Sequence, residues 1–339
     1  MLKTLLSFVV LVLAGVAGYV AWYVGSPVTI RQYPVEVEIP RGAGFRAALE
    51  QLEKAGVGVR RYEFELLARS LGKVRDVKAG SYEISQPVTP LQLLDKLTRG
   101  DVTQAEVRLI EGWTFAQFRA ALDASADLRH DTKGLSDAQI LERLRAPETH
   151  PEGLFFPDTY LFCKGSSDLA VLRRGYRAMA RHLKQEWDGR EKAVPYRSPY
   201  DALIMASIIE KETGQAGERD LIGGVLVNRL RIGMRLQVDP TIIYGLGASF
   251  DGNLKRSHLA EDGPYNSYTR AGLPPTPIAL AGRAALMAAA QPADTDALYF
   301  VATGLGDGRH FFADTLVAHN ANVARHLANL RRSRGVRVR

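Results

Sequence analysis

The spacing of apolar positions changes several times along the chain, and each change marks an element. The first stretch has no polar face: the twenty-one residues Thr4 to Val24 carry no charge and are apolar except for Thr4 and Ser7. As a helix they would extend about 31 Å, enough to cross a bilayer core of about 30 Å. A cleaved signal peptide usually has a shorter apolar core and small residues at the cut. Here the run leaves through Tyr19-Val20-Ala21-Trp22-Tyr23, which suits an uncleaved helix seated in the interfacial belt. Lys3 lies on the short side and no basic residue follows until Arg31. The positive-inside rule therefore leaves the N-terminus in the cytoplasm and the rest of the chain outside. The pattern predicts a stub at 1–3, a single-pass transmembrane signal anchor at 4–24 and an extended linker at 25–34, marked by Pro27 and Pro34.

Period-two alternation then appears at Val37-Glu38-Ile39-Pro40-Arg41-Gly42, followed by helical spacing of Phe45, Ala48, Leu49 and Leu52. Seventy residues on, Val107-Arg108-Leu109-Ile110-Glu111-Gly112 precedes Phe115, Phe118 and Leu122. Val37/Val107, Gly42/Gly112, Phe45/Phe115 and Leu52/Leu122 are identical between the copies. Each copy reads as a strand that turns at glycine into an amphipathic helix. Two copies are too few for a solenoid and point to a small α+β module of helices on a short sheet. A helix from Thr89 to Thr98, with Pro90 in its first turn and Gly100 past its end, would join it. From about residue 115 the pattern is mainly helical, with helices expected at Ser136–Arg145 and Asp168–Trp187. Between them, Glu152-Gly153-Leu154-Phe155-Phe156-Pro157-Asp158-Thr159-Tyr160 suits either a loop carrying large side chains into a groove or a buried connection.

The most informative helix opens at Ser198-Pro199-Tyr200-Asp201: an N-cap, a first-turn proline and an acidic capping partner. Ala202 to Ile209 is apolar on almost all sides, as in a protein interior, and Gly214 is the expected terminator. Glu210 and Glu212 fall in its last turn. At 100° per residue, Met205, Ile208 and Ile209 lie within about 60° of Glu212, while Glu210 points the opposite way over Leu203, Ala206 and Ser207. The helix dipole and an apolar setting both disfavour a carboxylate there, so a raised pKa is expected, above all for Glu212. A carboxyl kept protonated near neutral pH is what a general acid requires. The competing reading leaves both as exposed charges paired with Lys211, Arg219 or other basic groups.

Longer strings carry a family resemblance. Ala206-Ser207-Ile208-Ile209-Glu210-Lys211-Glu212-Thr213, Glu218-Arg219-Asp220 and the run from Val227 to Thr241 through Gly233-Met234-Arg235-Leu236-Gln237-Val238-Asp239-Pro240 closely resemble the MltG/YceG family of endolytic lytic transglycosylases. Tyr244-Gly245, Tyr265-Asn266-Ser267-Tyr268, Gly272-Leu273-Pro274-Pro275 and Phe156-Pro157-Asp158-Thr159-Tyr160 are similar too. The resemblance covers nearly the whole chain. It implies an α+β protein with an N-terminal membrane helix, a LysM-like module at 35–114, a mainly helical, lysozyme-like catalytic domain at 115–330 with a few strands, and a basic tail at 331–339. It implies cleavage, within the glycan strand, of the β-1,4 bond that follows N-acetylmuramic acid, with Glu212 as the catalytic residue. Gln237, Asp239, Tyr244, Tyr265, Asn266 and Tyr268 would line the groove. Glu218 would either support the catalytic carboxyl or form a salt bridge to Arg219 or another arginine. Glycan strands and the inner membrane are the expected partners, with peptidoglycan synthases as further candidates.

The chemistry fits one acid. Ordinary glycosidases use two carboxylates. A lytic enzyme can use Glu212 first to protonate the glycosidic oxygen and then to take the proton of the muramyl C6 hydroxyl, which closes on C1 to a 1,6-anhydro end. No cofactor or metal is required: the seven histidines lack metal-binding spacing, and Cys163 is the single cysteine. Gly304-Leu305-Gly306-Asp307-Gly308 reads as a hairpin turn rather than a phosphate loop. Of the net charge of +7, part sits in the last nine residues, which hold five arginines. Such a tail either meets an anionic partner or is a solvated terminus; nucleic acid is not expected. Two other function classes stay in view. One is an inert, membrane-anchored glycan-binding scaffold. The other is a muramidase-type hydrolase in which Glu218 or Asp239 directs water.

Overall fold

The computed structural model describes residues 2–40, 42–99, 104–163 and 165–336; the side chains of 2–6, Val9, Ser81, Gln104, Cys163 and 334–336 are not described. Met1, the expected helix stop at Gly100 and the end of the basic tail therefore lie outside the described residues. In chain order the elements are α1 (Leu2–Gly25), β1 (Thr29–Ile30), β2 (Val35–Ile39), α2 (Phe45–Lys54), β3 (Val57–Gly58), α3 (Arg61–Ser70), β4 (Gly80–Ile84), α4 (Pro90–Arg99), β5 (Gln104–Arg108), α5 (Phe115–Asp123), α6 (Asp137–Leu144) and β6 (Thr159–Cys163). There follow α7 (Asp168–Asp188), α8 (Pro199–Glu212), α9 (Arg219–Arg231), α10 (Asp239–Leu246), α11 (Arg256–Ala260), α12 (Arg283–Ala290), β7 (Tyr299–Ala302), β8 (His310–Ala313) and α13 (Leu316–Val336). The strands pair two by two, β1 with β3, β2 with β4, β5 with β6 and β7 with β8, so the fold is mixed α+β with small sheets. The chain forms two compact units: Met1–Val107 with Ser125–Asp131 and Tyr160–Ala170, and the remainder.

In the first unit the alternation of β2 sends Val37 and Ile39 inward, with Val37 opposite Tyr82, and Ile39 opposite Gly80, on β4. Phe45, Ala48, Leu49 and Leu52 of α2 are the buried face, as their spacing predicts. Leu93, Leu94 and Leu97 of α4 complete the same core. Gly42 at φ 79° and Gly112 at φ 78° both turn left-handed, so the repeated strand–glycine–helix pattern is a repeated geometry. The second copy does not extend the first copy's sheet: β5 pairs with β6.

The expected linker is also not free. Val28 is buried in the first unit's core and its amide donates to Val88 O (2.8 Å), while β1 pairs with β3. Its apolar side chains pull it inward. Directly before it, α1 is a 24-residue helix. Phe8, Leu11, Leu13 and Val16 on it are exposed. Among the described residues no helix is long and apolar enough to cross a membrane. The expected anchor begins at Thr4, and six of its side chains up to Val9 include only Ser7 and Phe8 among those described.

The second unit is built around α8. Ser198 caps it, its hydroxyl accepting from Asp201 N at 3.3 Å, and Ala202 to Ile209 are all buried. α8 packs against α9, α10 and α12. The helix does not stop on a left-handed glycine. Thr213 leaves in an extended conformation (φ −143°, ψ 133°), and its buried hydroxyl accepts from Gln215 N at 2.9 Å. β7 and β8 form the expected hairpin, with Phe300 opposite Phe312. α13 continues the basic C-terminal segment in helix as far as Val336.

Candidate active site

The two carboxyls at the end of α8 diverge. Glu210 lies on the face of Ser207: Ser207 Oγ accepts from Ile278 N (3.0 Å) and Glu210 Oε2 accepts from Gly282 N (2.9 Å). Arg219 Nη2 stands 3.5 Å from Glu210 Oε1 in a pair that is nearly buried. Burial pushes the Glu210 pKa up, against the pull of these bonds. Glu210 is thus a brace that holds the 278–282 segment onto α8. Lys211 turns away, donating to Gly112 O at 3.2 Å.

Glu212 is different. Its residue is partly buried, and no described residue donates a hydrogen bond to its carboxyl. Desolvation first, and the charge of Asp239 second, raise its pKa from 4.5 to about 7, while Arg229 opposes them. Both states of the carboxyl are therefore accessible near neutrality.

The strip facing Glu212 is laced by short bonds. Gln237 takes a left-handed conformation (φ 51°) and its amide donates to Ser267 O at 3.0 Å. Val238 N donates to Ser267 Oγ at 3.0 Å, and Thr241 Oγ1 lies 2.9 Å from the same hydroxyl. This sets Asp239 at the start of α10, where its Oδ1 accepts from Tyr268 OH at 2.6 Å. Burial and that bond push the Tyr268 hydroxyl up. Close enough to act on the Glu212 charge, Arg229 is 7% exposed and spends its guanidinium on backbone: Nε donates to Leu298 O (2.6 Å) and Nη1 to Leu236 O (2.8 Å). It also covers the Tyr299 ring at 5.3 Å.

Of the residues named from sequence, Glu212, Asp239 and Tyr268 share one charged neighbourhood, and exposed Gln237 lies on the same strip. Asn266 does another job: buried, it donates its amide to the carbonyls of His258 (3.0 Å), Leu259 (3.2 Å) and Glu261 (2.6 Å), so it braces the strip from within. Tyr265 OH lies 2.8 Å from Thr276 Oγ1 and packs edge-on against Tyr244 at 5.0 Å. Tyr244 OH donates to Glu152 Oε2 at 3.0 Å. Among the described residues Glu218 pairs with no arginine. His310 Nδ1 lies 2.9 Å from its Oε2 and His310 N donates to its Oε1 at 3.3 Å, so both oxygens are engaged.

Glu152 is the carboxyl that sequence reading passed over. It is 3% exposed, and burial raises its pKa to about 7 even though Phe115 N donates to Oε1 at 2.9 Å. With Tyr244 on the other oxygen, both oxygens are already bonded within the protein, and it serves the N-terminus of α5. The aromatic run beside it is interior: Phe155 is fully buried and stacks on Phe115 at 5.0 Å. That segment is a buried connection rather than a groove wall.

A buried helix ending in one unbonded, protonatable carboxyl, beside a tyrosine–aspartate strip and a fixed cation, is the layout of an acid–base site. The chain belongs to the YceG-like family, which matches residues 37–325. It is 30% identical over 312 residues to the endolytic murein transglycosylase of Bacillus subtilis, covering 87% of this chain and 85% of that one. It is 28% identical over 330 residues to the endolytic murein transglycosylase of Streptococcus pneumoniae serotype 2, covering 86% of this chain and 58% of that one. The crystal structure of a YceG-like protein from Listeria monocytogenes superimposes with a TM-score of 0.53 at 30% identity, over 86% of this chain and 99% of that chain.

Proposed function

We propose that this chain is an endolytic peptidoglycan lytic transglycosylase with Glu212 as its catalytic acid and base. The observation that carries the reading is the state of Glu212: no donor among the described residues holds its carboxyl, and its pKa of about 7 lets it give and retake a proton. As acid it protonates the glycosidic oxygen between N-acetylmuramic acid and N-acetylglucosamine. As carboxylate it takes the proton of the muramyl C6 hydroxyl, whose oxygen closes on C1 and leaves a 1,6-anhydromuramyl end. The nucleophile belongs to the substrate, so orientation replaces an activated water. Arg229, facing the carboxyl, stabilises it once the proton has gone. Tyr268 and Asp239 form the opposite wall. Relatives bearing the name endolytic murein transglycosylase support the same reading.

We propose further that Thr4–Val24 anchors the chain in the cytoplasmic membrane with the catalytic domain outside, on the strength of that uncharged run and the exposed apolar side chains of α1. The α2–α4 helices on the β2–β4 pair would form the LysM-like glycan-gripping module. A hydrolase remains the second reading, because exposed Asp239 has one oxygen on Tyr268 and the other open to a water. Digestion of purified glycan strands in heavy-oxygen water separates the two. An anhydro end, about one water lighter and unlabelled, is expected; a labelled reducing end would transfer the role to Asp239.

A further inference from the structure

The β7–β8 hairpin holds the chain on two sides of Glu212. On one side is the segment that follows the catalytic residue. Gly214, Gln215, Ala216 and Gly217 carry no buried apolar anchor, and past Thr213 the segment has only a 3₁₀ turn at Ala216–Glu218. Such a segment is mobile unless bonded from outside. The hairpin supplies the bonds. Gln215 Nε2 donates to Asp307 O at its tip, Asp307 being fixed by Thr303 Oγ1 (2.6 Å) and Arg309 N (3.1 Å). His310 closes on Glu218 twice, with its ring and with its amide, in a pair whose side chains are 13% and 17% exposed. The ring is held edge-on by Phe300 at 5.6 Å. On the other side, the foot of the hairpin presents Leu298 O and the Tyr299 ring to Arg229, the cation facing Glu212.

We infer that the hairpin is the positioning element of the catalytic carboxyl, and that His310, through Glu218, is its positioning residue. The inference rests on the reading of Glu212 as the acid. His310 touches no reacting atom. It fixes where the chain goes after Glu212, while Leu298 fixes the cation that faces it. A displacement of about 1 Å at a reacting group costs on the order of 10²-fold in rate, so loosening this clasp is expected to lower kcat more than it changes KM.

The test uses the full chain in detergent with purified, uncrosslinked glycan strands. His310→Ala is expected to lower kcat about 10- to 100-fold with KM within about twofold, and to speed amide exchange in 213–218 but not in α8 or α12. His310→Asn, whose side-chain nitrogen stands where Nδ1 does, is expected to restore most of the rate. Unchanged kcat in His310→Ala overturns the inference. So does a loss that Asn fails to rescue and that comes with faster exchange throughout the second unit, because that marks a residue needed only for folding. Glu212→Gln, run in parallel, must be inactive. If it is active the acid assignment is wrong and the inference falls with it, an outcome separate from an inert Glu212→Gln beside a fully active His310→Ala.

Discussion

At the scale of the residue, two glutamates, one buried and one partly buried, share a raised pKa and differ in what they can do with it. Glu152 is lifted to about 7 with both oxygens bonded; Glu212 reaches about 7 with neither. Glu212→Gln keeps size and polarity but cannot deliver a proton, so cleavage should fall by about 10² to 10⁴ or more. The same substitution has a sign on stability. Below pH 4.5 the folded and unfolded chains both hold the Glu212 proton. Between 4.5 and about 7 the unfolded chain releases it and the folded one keeps it, so this carboxyl's contribution is lost as pH rises through that window. Glutamine has no proton to lose, and the variant should gain on the wild type by up to about 3 kcal/mol between pH 5 and 8. Urea midpoints at the two pH values decide the point, and parallel curves would mean that Glu212 is solvated. Much of this was legible: the facing of Glu210 and Glu212 follows from 100° per residue along one helix. Glu152 was not, because its partners Phe115 and Tyr244 are 37 and 92 residues away. His310 was hidden for the same reason, 92 residues from Glu218.

At the scale of the element, α8 is rigid because it is enclosed, and two adjacent glycines in α9 make part of that enclosure possible. A Cβ on Gly223 would stand 2.6 Å from Ala288 O of α12, and one on Gly224 2.5 Å from Ala293 O. Glycine inside a helix costs up to about 1 kcal/mol against alanine. Overlap with the backbone of a packed neighbour costs about 1–3 kcal/mol and wins. Gly223→Ala should therefore lower stability even though alanine is the better helix former, and a raised thermal midpoint would show that α9 and α12 can separate freely. The pattern of apolar positions located α2, α6, α7 and α8 closely, since each carries either a cap, as at Ser136 and Ser198, or a regular apolar spacing within its own sequence. Pairing of strands was less legible. Both copies of the strand–glycine–helix repeat were readable, but nothing local to Gln104–Arg108 says that its partner is Thr159–Cys163 and not β2.

At the scale of the molecule, the proposed anchor meets the first unit without slack. An extended linker of about nine residues could reach at most about 32 Å from the bilayer. The chain does not use that reach: Val28 is in the core, β1 is paired, and the end of α1 is fastened to α3, with Tyr19 OH donating to Glu63 Oε1 at 3.1 Å and accepting from Arg60 Nη1 at 3.0 Å. Arg60 also lies over the Trp22 ring at 5.2 Å. If α1 lies in the membrane, the α2–α4 module is held against its surface, and any glycan it gripped would be glycan newly emerged there. Replacing residues 1–25 with a cleavable signal should leave cleavage of isolated glycan strands unchanged, because Glu212 and its neighbours belong wholly to the second unit. In cells the released protein should lose its preference for new strands, and the distribution of glycan lengths should broaden. A distribution identical to that of the intact chain would mean that the helix only delivers the protein and that selection of the strand resides elsewhere in the fold.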